Sequence, residues 1–230
     1  MECIYYKDLV VKHDIIDIKG ESAKHCRALR LRPGEKLMIT DGCGVSYTTC
    51  LIKFDRDSYK FNVINNHTNL GEFDFRFGLA LGILDNKDRF EFALEKSIEL
   101  GITDFYPLIC DHSQKKSCNY DRLLSKSISA MEQCKRSIIT IIHSPIYIHD
   151  LLSGHNFDRI ILSDEDGLRL LPENNSLSTL IFVGPEGGFS EKEIEIIRST
   201  DKCFPLNLGN RRLRAETAAI MAVGSVSLQH

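Results

Sequence analysis

Two short stretches in the last fifty residues combine the residue types that ligand chemistry needs. Ile181-Phe182-Val183-Gly184-Pro185-Glu186-Gly187-Gly188-Phe189-Ser190 reads as a buried strand that opens into a glycine loop and then reaches a helix start. Ser190 and Glu193 form a capping-box pattern. The glycines let backbone amides approach a ligand closely, and the adjoining helix start favours negative charge. No Gly-Lys-Ser/Thr follows and no Gly-x-Gly-x-x-Gly is present, so neither phosphate-loop nor dinucleotide fingerprint applies. Standing alone, the loop is open to a purely structural reading as a turn. A second stretch, Gly209-Asn210-Arg211-Arg212-Leu213-Arg214-Ala215-Glu216-Thr217-Ala218, leaves a strand expected over 206–208 and enters the final helix. Here the bland alternative makes the arginines solvent-facing and Glu216 a first-turn acid favoured by the helix dipole.

The elements that must position these loops follow from periodicity. Residues 36–40, 45–54 and 59–64 alternate as short strands, broken by turn sequences at Arg32-Pro33-Gly34-Glu35 and Asp41-Gly42-Cys43-Gly44. Ser22 is placed to cap a short helix through Ala28. A compact β-barrel over 1–70 follows, with the polar run Asn65-Asn66-His67-Thr68-Asn69 as a linker. From 73 to 230 apolar strands alternate with amphipathic helices. Strands are expected over 77–84, 105–109, 159–163 and 180–183, and helices over 88–100, 121–135, 191–199 and 216–228. In the helix over 88–100, Phe92, Ala93, Ser97 and Leu100 fall on one face, and Gly101 ends it. Such alternation predicts an α/β domain with a mostly parallel sheet, whose ligands bind beyond the carboxyl ends of the strands.

Composition narrows the partners. With 230 residues, 43% hydrophobic and 27% charged, the chain reads as an ordinary globular protein. No apolar run is long enough for a membrane helix and the N-terminus lacks a secretory signal, so a cytoplasmic location is expected. The eight cysteines contain no C-x-x-C pair and read as reduced thiols. Cys110, His112 and Cys118 fit zinc-ligand spacing poorly, and no metal is expected. The net charge of −3 argues against a nucleic-acid partner on average. Local patches run the other way: Lys24, Arg27, Arg30, Arg32 and Lys36 face Glu35 alone, and Arg211, Arg212 and Arg214 form a second cluster. Basic runs are commonly just solvated faces, so both readings stand.

The two glycine loops, G-P-E-G-G-F-S and L-G-N-R-R-L-R-A-E-T-A, resemble those of the RsmE family of 16S ribosomal RNA uridine-N3 methyltransferases in the SPOUT superfamily. The segment from Lys87 to Gly101 is similar to that family's K-x-D-R-x-E-x-x-L-x-K-x-x-E-L-G, shortened between lysine and aspartate. The run from His25 to Leu31, with Gly34 and Asp41-Gly42, and Glu132-Gln133-Cys134 with Arg136 extend the likeness over about residues 25–222. The chain departs from the pattern at Arg212 for isoleucine, Lys135 for glycine, His112 for arginine, and Tyr5-Tyr6 where Arg-Phe-Phe is common.

The resemblance implies a PUA-like RNA-binding barrel and a C-terminal SPOUT domain with a deep trefoil knot. It implies a cofactor, S-adenosyl-L-methionine, held by Val183, Gly184, Pro185, Glu186, Gly187, Gly188, Leu208, Gly209, Arg211 and Leu213, in a site completed by the second copy of a homodimer. The substrate is then 16S rRNA or the assembled small ribosomal subunit. Uridine N3 carries a proton at neutral pH, so a group must remove it or stabilise the anion. Arg214 is expected to orient the base or offset its charge, Glu216 to accept the proton or hold Arg214, and Glu186 to serve as the alternative acid-base group. Phosphate contacts are expected from Arg27, Arg30, Arg32, Lys115 and Lys116. Two other readings remain: a non-catalytic RNA-binding or ribosome-assembly protein with this fold, and a small-molecule α/β enzyme whose loop takes a phosphate. Stabilisation by S-adenosylmethionine or by nucleotides would separate them.

Overall fold

The computed structural model describes residues 1–154, 156–168 and 177–230. The chain divides into two units, Met1–Glu72 with Ile128–Ile139, and Phe73–Ser127 with Thr140–His230.

The first unit is β-rich because its residues alternate. It contains β1 (Cys3–Tyr5), β2 (Val11–Lys12), β3 (Ile15–Lys19), α1 (Glu21–Ala28), β4 (Lys36–Thr40), β5 (Val45–Phe54) and β6 (Ser58–Thr68). They form one sheet in the order β1-β4-β5-β6-β3-β2, antiparallel except for β1 on β4. Every second side chain turns inward, and Ile4, Ile16, Ile18, Leu37, Ile39, Leu51 and Phe61 fill the core under Ala23 and Cys26 of α1. Residues 128–139 join this unit through polar bonds. Glu132 accepts the Tyr5 backbone N–H at 2.8 Å, and Glu72 accepts from Arg136 and from the Ser137 and Ile138 backbone.

Two expectations change here. The helix begins at Glu21 with Gly20 at its N-cap (φ 66°) and no side-chain cap, so Ser22 lies inside the first turn rather than before it. Asn65 to Thr68 are strand rather than linker, since β6 pairs them with Val45 to Thr48 and His67 bonds the Thr48 hydroxyl at 3.1 Å. Pairing to a long partner strand outweighs the low strand preference of asparagine.

The second unit runs β7 (Phe77–Gly82), α2 (Lys87–Glu99), β8 (Asp104–Ile109), α3 (Tyr120–Cys134), β9 (Ile141–Ile142), β10 (Ile146–Tyr147), α4 (Ile148–Gly154), β11 (Arg159–Leu168), β12 (Thr179–Val183), α5 (Glu191–Arg198), β13 (Cys203–Leu206) and α6 (Ala215–Ser227). The last residues of α3 belong to the first unit. The sheet order is β10-β8-β7-β12-β11-β13, with β9 also on β8, and every pairing is parallel. The central strands β7 and β12 are buried throughout, as a sheet covered on both faces requires. Helix α6 packs on α2 and against β7 and β12.

The buried face of α2 is Phe90, Glu91, Ala93, Leu94, Ser97 and Ile98. Phe92, expected to point inward, is 45% exposed, because the apolar stripe is set by Phe90, Leu94 and Ile98, and Phe92 falls outside it. The strand expected over 206–208 ends instead at Leu206, and the residues after it are loop. At the amino-terminal end of the sheet Asp104 anchors β8. Its carboxylate accepts from Arg76 (2.7 Å), His143 (2.8 Å) and Thr103 (2.7 Å). No helix among the described residues is long and apolar enough to cross a membrane.

Candidate functional site: a cleft at the carboxyl ends of the strands

The expected ligand loops occupy the ends of β12 and β13, the two strands that flank β11. After Val183 the chain turns through Gly184 to Gly188, and Ser190 caps α5. The Ser190 hydroxyl accepts the Glu193 backbone N–H at 3.3 Å, and the Glu193 carboxylate accepts the Ser190 N–H at 2.7 Å. Glu193 also accepts the Asp111 N–H at 2.9 Å, which fixes the loop after β8 to the same helix start. His112 Nδ1 lies 3.1 Å from the Gly187 carbonyl oxygen. The loop after β7 joins them: the Glu186 carboxylate accepts the Asp85 N–H at 3.2 Å, and Lys115 Nζ donates to the Asp85 carbonyl. Gly82 allows the close approach, since a Cβ there would stand 2.5 Å from the Pro185 backbone nitrogen.

The second loop leaves β13 with Asn207, whose side chain accepts the Gly209 N–H at 2.7 Å. Gly209 has φ 111°, open to glycine at little cost. Arg214 then occupies the N-cap of α6.

Between the loops lies a cleft of about 1220 Å³. It is lined by 183–189, by 207–215, by Leu162 to Asp164 at β11, and by Arg89, Ile194 and Ala218. All ten residues expected to hold a cofactor, Val183 to Gly188 with Leu208, Gly209, Arg211 and Leu213, are on its wall, and so is Arg214. Its charge is asymmetric. Arg211, Arg212 and Arg214 are exposed there beside the half-buried Arg89, whereas Asp164 is paired with Arg198 and Glu186 is turned to the Asp85 amide.

Glu216 is not on the wall. It is 8% exposed, and its carboxylate partner is Arg89 rather than Arg214, with Arg89 Nε 3.7 Å from Oε1. Arg214 stands only two residues before it, and side chains two apart leave a helix in different directions, whereas packing of α2 on α6 brings Arg89 alongside. Glu186 is exposed at the rim and tied to the Asp85 loop. Sequence reading assigned Arg89 no role; its signal was the Asp-Arg pair inside the segment from Lys87 to Gly101.

Arg27, Arg30 and Arg32 are exposed on the first unit, with Arg27 donating to the Arg56 carbonyl. Lys115 and Lys116 are exposed on the second, beside His112. Among the described residues no cluster of His, Cys, Asp or Glu is arranged to hold a metal. Burial pushes the Cys110 thiol up to about 12, with Glu193 adding to the rise, so it stays protonated and a poor ligand.

The second unit is thus a parallel α/β sheet with an open, cation-lined cleft at its strand ends, and the first is a mostly antiparallel β unit. Residues 72–227 match the RNA methyltransferase domain family, and residues 18–64 match the RNA methyltransferase PUA domain. The chain is 36% identical to the ribosomal RNA small subunit methyltransferase E of Rickettsia conorii over 65% of its own length and 63% of that protein's, just under two thirds. It is 33% identical to the protein of that name from Mesomycoplasma hyopneumoniae, over 74% of this chain and 77% of the other. Among solved structures, the Neisseria gonorrhoeae ribosomal RNA small subunit methyltransferase E bound to S-adenosyl methionine superposes with a TM-score of 0.88, at 25% identity over 99% of this chain and 97% of that one. The chain belongs to the RNA methyltransferase family, within its ribosomal RNA small subunit methyltransferase E branch.

Proposed function

We propose that the protein transfers a methyl group from S-adenosylmethionine to N3 of one uridine in 16S rRNA, acting on the RNA or on the assembled small ribosomal subunit in the cytoplasm. The observation that carries this is the cleft itself: two backbone loops face each other across a space large enough for a nucleoside and a base, with four arginines on its wall. The residues fit such a cofactor. Gly188 and Gly209 have positive φ and an added Cβ would meet nothing within 4 Å, so glycine is there for backbone shape beside open space. Bound there, S-adenosylmethionine supplies an electrophilic methyl group on a sulfonium.

The chain's own residues then do three things. Backbone groups of Val183 to Gly188 and Leu208 to Leu213 hold and orient the nucleoside. Arg214, at the α6 N-cap, orients the target base or offsets the charge that develops on it. Arg27, Arg30, Arg32, Lys115 and Lys116 take phosphates, while the target uridine is splayed from its stack. A second copy of the chain completes the site, and the segment from β13 into α6 threads the knot of the SPOUT fold.

The test is transfer of labelled methyl from S-adenosylmethionine to small subunits lacking uridine-N3 methylation, with nucleoside analysis and an Arg214→Ala control. Label recovered as 3-methyluridine and lost in the control supports the assignment. Cofactor binding without transfer favours a non-catalytic role in ribosome assembly.

A further inference from the structure

Arg89 and Glu216 are poorly explained by stability. Arg89 sits in the first turn of α2, three residues after the Asn86 cap, where the helix dipole disfavours a cation. Its ion pair with Glu216 is loose, one contact at 3.7 Å, and the other Glu216 oxygen, Oε2, is buried without a hydrogen-bond partner. A buried acceptor left unmade is costly. A pair selected to hold α2 on α6 would close both oxygens on the guanidinium. What the arrangement does achieve is to keep a guanidinium, a third exposed, on the wall of the cleft that Arg214 also lines.

We infer that Arg89 is a second catalytic arginine, contacting a carbonyl oxygen of the target base, and that Glu216 is its positioning residue rather than the proton acceptor. The inference rests on the methyl-transfer reading above. In that reaction the N3–H bond breaks with its proton leaving to solvent, the nitrogen pair forms the new N–C bond, and the C–S pair stays with sulfur. As the proton leaves, negative charge spreads onto the two carbonyl oxygens that flank N3. Two flanking oxygens call for two donors, and the cleft presents two guanidiniums from the N-terminal turns of two packed helices.

The experiment compares wild type with Arg89→Ala, Arg89→Lys and Glu216→Gln on small subunits lacking the modification. Cofactor affinity by calorimetry is expected to stay within about twofold, since Arg89 is not on either glycine loop. Single-turnover methyl transfer by Arg89→Ala should fall about a hundredfold near neutral pH. That loss should shrink as pH rises and shrink again on subunits carrying 5-fluorouridine, whose N3 is more acidic, because an already ionised base needs less help. Glu216→Gln should fall about tenfold with the same pH trend. A readout free of turnover is the binding of 5-fluorouridine subunits to cofactor-free protein: wild type should tighten as pH rises, and Arg89→Ala should not. Arg89→Lys keeps the charge and covers a failure of the alanine variant to fold, and its loss should show the same pH trend. A loss equal at every pH and on both substrates overturns the inference. Wild type forming no 3-methyluridine at all removes the methyl-transfer reading and this inference with it, whereas transfer unaffected by Arg89→Ala removes the inference alone.

Discussion

Lys135 follows α3 with φ 62°, in the left-handed region, at a position where the related pattern has glycine. A side chain there costs about 1 kcal/mol in strain. Lys135→Gly is therefore expected to raise the unfolding free energy by about 1 kcal/mol in urea, and no gain would mean that the lysine is compensated by its surroundings. Residues of this kind divide what can be read from a sequence. Gly184 to Gly188 and Gly209 were legible because glycine marks backbone shape locally, and each of them is found on the cleft wall. The partner of Glu216 was not legible, since Arg89 lies 127 positions earlier and reaches it only through the packing of α2 on α6. Glu132 and Arg136 were legible as a motif but not as a fastening, because their partners, Tyr5 and Glu72, lie 127 and 64 positions away.

Elements were legible where start and stop signals were local. Ser190 and Glu193 form the expected capping box at α5, and Gly101 follows α2 with φ 103°. Ser22 looked equally good as a cap but is overridden by Gly20, and the polar end of β6 looked like linker because strand pairing is non-local. The Asp104 network at the start of β8 was also invisible, and it makes a prediction at this scale. Burial alone would raise the Asp104 carboxyl, but hydrogen bonds from His143, Arg76 and Thr103 outweigh it and hold the group well below the usual carboxylate range. A depressed carboxyl contributes stability above its unfolded value, about 3.9, and that contribution is lost as pH falls below it. Unfolding free energy should thus drop as pH is taken below about 4. Asp104→Asn should cost about 2 kcal/mol at neutral pH and flatten that acid limb; an unchanged limb would mean that other carboxylates control it.

At the scale of the whole molecule, a chain of net charge −3 must meet RNA through patches. Replacing Arg27, Arg30 and Arg32 together by alanine should weaken RNA binding, lower the slope of log affinity against log salt by about two, and leave cofactor affinity unchanged. A slope equal to wild type would place the RNA elsewhere. The order of the parallel sheet has a further consequence in time. β7 gains its β12 neighbour when Phe77 meets Thr179, about a hundred residues later in the chain. During synthesis at roughly 5 to 20 residues per second, that edge of β7 waits on the order of 5 to 20 seconds, all apolar and unpaired. Both cleft loops come later still, so a nascent chain spends that interval with an apolar strand edge bare and with no ligand able to shield it. Protection of that edge during synthesis is thus needed before either cleft loop exists.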